Sequence, residues 1–113
     1  MSLSLKNIKN LQKDFDRNHS VGDKDFYVDI NESNIHELEH LIVCLLGELG
    51  EFANILKKVS RGDFSLEEVK DDLDEELVDT FIYLIKISNQ FNVNLEKGYL
   101  AKLEKNKKRF SDL

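Results

Sequence analysis

The sequence predicts an all-α fold, a four-helix bundle-like domain, and three observations predict it. Apolar residues recur at helical spacing in four separate stretches. Residues that cap helices stand at the ends of those stretches. The chain has no proline, and no segment reads convincingly as a strand. At 113 residues one domain is expected, 1–113, with a modest core.

Leu5, Ile8, Leu11 and Phe15 share one helical face, which predicts an amphipathic helix over 4–17 with Ser4 as N-cap. Residues 18–32 are polar and irregular, and Gly22 breaks any period. A loop of that length in a small domain is often functional. Its aromatic residues, Phe26 and Tyr27, could stack on a base or pin the loop to the core.

Asn34 followed by Glu37 has the spacing of a capping box. From Leu38 to Val59 a wide apolar stripe predicts one long helix over about 34–60. Gly47 and Gly50 lie inside it, where each costs about 1 kcal/mol against alanine. Close approach of a helix or ligand beside them would offset that cost. Gly62 suits a C′ position, and Ser65 with Glu68 forms a second capping box. A helical period then runs from Leu66 to about Gln90. Asn94 caps a last helix over about 95–110.

A net charge of -6 argues against general affinity for nucleic acid polymers. The charge is unevenly placed, with an acidic stretch from Glu67 to Asp79 and a basic tail from Lys97 to Arg109. Two solvated helix faces would look like this, and so would a site for a metal–phosphate ligand. Cys44 is the one cysteine, so no internal disulfide forms; its apolar surroundings predict a buried structural thiol. The apolar run 41–46 is too short to span a bilayer, and the first residues lack a signal-peptide stretch. A cytoplasmic protein without membrane association is expected.

Two acidic pairs, Glu48/Glu51 and Glu76/Asp79, each have i,i+3 spacing and so share a helical face. Glu51 lies twelve residues before Asp63, and Glu76 thirteen after it. If the flanking helices are antiparallel about that turn, both pairs stand roughly 18–20 Å from it, level with each other. Such pairs can be ordinary solvated acids. Here they sit among Leu45, Leu49, Phe52, Leu77 and Phe81 without interleaved lysines, where bare carboxylates are costly. Clustered carboxylate oxygens are what Mg²⁺ accepts.

The spacing Glu-x-x-Glu, twenty-four residues, then Glu-x-x-Asp resembles the signature of the MazG-like all-α nucleoside triphosphate pyrophosphohydrolases. The resemblance covers about 41–110. Residues 45–53 resemble the first motif helix, residues 74–84 the second, and residues 102–110 the basic tail. It implies Mg²⁺, or alternatively Mn²⁺, held by Glu48, Glu51, Glu76 and Asp79. It implies cleavage between the α and β phosphates to give a nucleoside monophosphate and pyrophosphate, as in house-cleaning enzymes. One of the four carboxylates would be the general base. Tyr83, Lys102, Lys105, Asn106 and Arg109 would contact the nucleotide. The family assembles from subunits, so a homodimer or homotetramer completing the bundle is expected, and the wide stripe on 38–59 agrees with that.

Other readings compete. A non-catalytic helical module binding nucleotides or proteins would keep the same fold, although it would not need all four acids. His36-Glu37-Leu38-Glu39-His40 matches the zinc-protease pattern, but nothing constrains a third ligand. Glu37 with His40 resembles half of a di-iron motif, and the chain lacks a good second half.

Overall fold

A computed structural model describes residues 2–111. The order is α1 (Leu5–Arg17), β1 (Ser20–Val21), β2 (Lys24–Asp25), α2 (His36–Ser60), α3 (Leu66–Gln90) and α4 (Leu95–Ser111), with a 3₁₀ turn at Glu32–Asn34. The fold is all-α and bundle-like, as expected. The loop expectation needs one correction. Residues 20–25 form a short antiparallel hairpin, pairing Ser20 with Asp25 and Val21 with Lys24. Gly22 at φ 61 makes its tight turn possible.

The helix ends follow local chemistry. Ser4 caps α1 and exchanges bonds with Asn7. Ser65 and Glu68 close a capping box at α3, and the Asn94 side chain accepts from the backbone of Lys97 at α4. After α2, Gly62 takes φ 86, and Asp63 N–H bonds the Lys58 carbonyl at 2.9 Å. That is the Schellman pattern, and it reverses the chain into α3. Asn34 behaves differently from the expectation. Its side chain accepts from Asn31 N–H at 2.7 Å, closing the 3₁₀ turn, and α2 starts at His36 without a side-chain cap.

α2 and α3 form an antiparallel hairpin, and α1 lies on the C-terminal half of α3. Leu41, Val69, Leu73 and Ile85 are buried along this framework, joined by Ile30 from the loop. The loop is pinned to α3 by polar bonds. The Gln90 side chain accepts from Val28 N–H and donates to the Phe26 carbonyl, while Ile30 N–H bonds the Gln90 carbonyl at 2.8 Å. Tyr27 is half-buried there, and its hydroxyl lies 3.5 Å from the Asn89 carbonyl.

α4 packs little against the other helices. The radius of gyration is 17.4 Å, against about 13 Å for a compact chain near this length. Apolar side chains stay exposed on α2 (Val43, Leu46), α3 (Leu77, Val78) and α4 (Tyr99, Leu100). Gly47 and Gly50 face open space, with nothing among the described residues within 4 Å of where a Cβ would stand. Cys44 is half-buried rather than buried, with its Sγ 3.7 Å from His40 Nε2. Among the described residues no helix is long and apolar enough to cross a membrane.

Candidate metal centre

Antiparallel pairing of α2 and α3 sets Glu48 opposite Glu76 and Asp79. Carboxylate oxygens from these three residues lie within 4.8 Å of one another, and all three are half-buried. Glu76 and Asp79 are neighbours through one helical turn; Glu48 arrives from across the hairpin. Glu51 is exposed and outside this tight trio, but its carboxyl reaches Glu76.

Electrostatics concentrate on Glu76. Its Oε2 is covered and meets no donor among the described residues. The nearest groups are carboxyls, which only accept when ionised. A proton on Glu76 is therefore favoured: shared first with Glu51, then with Glu48, and helped by desolvation, it lifts the group to about 7. A divalent cation would replace that proton. The donor set, all carboxylate oxygen with one covered oxygen lacking a partner, fits a hard cation such as Mg²⁺.

Beside the trio is a cleft of about 410 Å³, inside the ~300–1,000 Å³ range of small-ligand sites. Glu48, Asp79 and Tyr83 line it, together with Gln12, Phe15 and Lys86. The Tyr83 hydroxyl is held above its ordinary pKa by burial first, then by Cys44, with Glu48 and Asp79 adding to the effect. It stays a neutral phenol at the edge of the acids.

Tyr83 is thus brought to the carboxylates. Lys102, Lys105, Asn106 and Arg109 lie on α4 and do not line this cleft within one chain. Lys107 pairs with Glu104, and the Arg109 guanidinium sits 5.0 Å from the Phe110 ring centre. His36 contacts Glu37 and His40 contacts Cys44, so the two histidines of the protease-like pattern do not converge on a shared ligand.

Sequence reasoning missed Gln12, Phe15, Asp16 and Lys86 as neighbours of the site. Two signals were present. Gln12 and Asp16 continue the face begun by Ile8 at i,i+4 spacing, placing polar groups where apolar ones belong. Lys86 is the one charge in the run 81–88.

No family model matches the chain, and no solved structure matches it. The Gene 37 protein of Mycobacterium phage L5 is 36% identical over 81 residues, covering 67% of this chain and 71% of the phage protein. dCTP pyrophosphatase 1 of Homo sapiens is 29% identical over 91 residues, and that of Rattus norvegicus 26% over 90; each match covers 76% of this chain. The chain spans about half the length of these two relatives, 53% of each.

Proposed function

We propose, from the premise that this chain belongs to one family with the Gene 37 protein of Mycobacterium phage L5, that it is a MazG-like nucleoside triphosphate pyrophosphohydrolase. Its distant homology to proteins named dCTP pyrophosphatase supports the reaction class. The observation that carries the reading is the convergence of Glu48, Glu76 and Asp79 around a covered oxygen with no donor.

Glu48, Glu76 and Asp79 would hold Mg²⁺, with Mn²⁺ as a substitute. The ion supplies charge neutralisation and Lewis acidity toward the triphosphate. Glu51, beside the trio but outside it, is the carboxylate left to take a proton from water attacking the α-phosphorus. The α–β anhydride bond breaks, and pyrophosphate leaves from a nucleoside monophosphate. Tyr83 lines the cleft as a neutral hydrogen-bond donor.

A second copy of the chain would complete the site. The exposed apolar faces of α2 and α3 need a cover, and a projecting α4 can carry Lys102, Lys105, Asn106 and Arg109 toward another subunit's phosphates. The test is pyrophosphate release from a panel of nucleoside triphosphates with Mg²⁺. Turnover is expected, and Glu51→Gln or Asp79→Asn should reduce it by about 10²-fold or more with helical circular dichroism unchanged. No turnover on any triphosphate would favour the non-catalytic module.

A further inference from the structure

Away from the carboxylates, α1 carries a basic face that the metal centre does not use. Lys6, Lys9 and Lys13 stand at i, i+3 and i+7, so their side chains leave one side of the helix. That side meets the end of α3 and the turn into α4, and a cleft of about 500 Å³ lies between them. It shares no lining residue with the cleft beside Glu48 and Asp79. Ser88 and Asn89, both buried, lie in its wall, and Asn10, Asn92 and Asn94 add amide groups. Among the described residues no aromatic side chain lines it.

The cleft is built around Lys9. The Asn89 amide donates to the Lys9 carbonyl at 2.9 Å, and the Lys9 ammonium donates to the Val93 carbonyl at 2.8 Å. Asn92 takes φ 57 and Val93 N–H bonds the Ser88 carbonyl at 2.9 Å, which ends α3 and turns the chain past the cleft. Lys13 is half-buried, with its ammonium 5.4 Å from the Tyr27 ring centre. Among the described residues none of the three lysines is paired with a carboxylate, and the one acid in the lining is Glu96. Three ammonium groups against one carboxylate, in a chain of net charge -6, make a local excess that an anion would offset. We propose that this cleft binds a diphosphate group, with Lys6 and Lys13 at its two ends and Lys9 between them. Lys6 and Lys13 are about 10.5 Å apart along the helix axis, a wider separation than one phosphate spans. The volume suits a small ligand. A base would find no flat apolar wall to stack on, so recognition rests on charge-assisted hydrogen bonds. The site uses none of the four carboxylates of the metal centre and does not rest on the hydrolase reading.

Calorimetric titration of the full chain in EDTA reads this cleft while the carboxylates are kept free of metal. Inorganic pyrophosphate should bind at least about tenfold tighter than orthophosphate. The double variant Lys6→Gln, Lys13→Gln should weaken pyrophosphate about tenfold or more, and Glu96→Gln should strengthen it about threefold. Asp79→Asn should leave it unchanged, which separates this cleft from the metal centre. ADP tests the source of the group. Binding as tight as that of pyrophosphate, lost in the same lysine variant, supports a nucleotide's diphosphate, and weaker binding supports the free ion. No pyrophosphate binding in EDTA, equal affinity for orthophosphate, or affinity unchanged in the lysine variant would overturn the proposal. Lysine-dependent self-association without anion binding would overturn it too, and would give the basic face to an acidic surface of a second copy. Failure of triphosphate turnover bears on the carboxylates alone and leaves this binding result standing.

Discussion

Single side chains carry the strongest physical constraints in this protein. Glu76 in the metal-free chain is raised from 4.5 to about 7, so its protonated form is favoured in the folded state. Its contribution to stability is complete below about 4.5 and is lost as pH rises through about 7. Melting temperatures in EDTA, compared with those of Glu76→Gln, should show a gap that moves against wild type between about pH 5 and 8. A gap independent of pH would contradict the shared proton. Added Mg²⁺ should raise the wild-type melting temperature most at the alkaline end, because a cation competes with that proton. The Asp16–Lys86 pair gives a second prediction. Lys86→Met strands a fully buried carboxylate and should cost about 3–5 kcal/mol in urea unfolding. A loss under about 1 kcal/mol would mean that water reaches Asp16. At this scale the convergence of Glu48, Glu76 and Asp79 was legible because i,i+3 spacing and the level turn are properties of the sequence, whereas Glu51, expected with them, stands outside the trio. Asp16 and Lys86 were not, because they are 70 residues apart and only the packing of α1 on α3 joins them.

Among the elements, helix ends were the most legible features. Ser65 with Glu68, Ser4, Gly62 and Asn94 all act as their local chemistry requires. Ser65→Ala removes the side-chain acceptor for Glu68 N–H and should cost about 1 kcal/mol of stability, with no change in metal affinity. Thermal unfolding with and without Mg²⁺ checks both parts. Asn34 was misread because the same Asn-x-x-Glu pattern can be recruited by an earlier turn, and here Asn31 engages its side chain first. The two-residue strands lie below the length at which alternation can be seen. The stripe on α2 was legible as too wide for one neighbour. What covers it was not, since α1 reaches α3 and α4 projects away.

For the molecule as a whole, exposed apolar surface on all four helices and a radius of gyration of 17.4 Å describe a chain that is loosely closed alone. The proposed self-association through α2 and α3 would remove that surface from water. Sedimentation at micromolar concentration should give a dimer or tetramer, and Leu46→Glu should shift it toward monomer; a wild-type chain monomeric at every concentration would contradict this. Gly47 and Gly50, open on that side, would then mark where the other copy's backbone comes near. The proposed cation site at Glu48, Glu76 and Asp79 is open to direct measurement. Electron paramagnetic resonance of Mn²⁺ titrated into the wild-type chain and into Asp79→Asn measures it directly. Wild type should immobilise Mn²⁺ in a signal displaced by Mg²⁺, and the variant should bind it at least about tenfold more weakly. Equal Mn²⁺ binding by both chains, or by neither, would contradict the site.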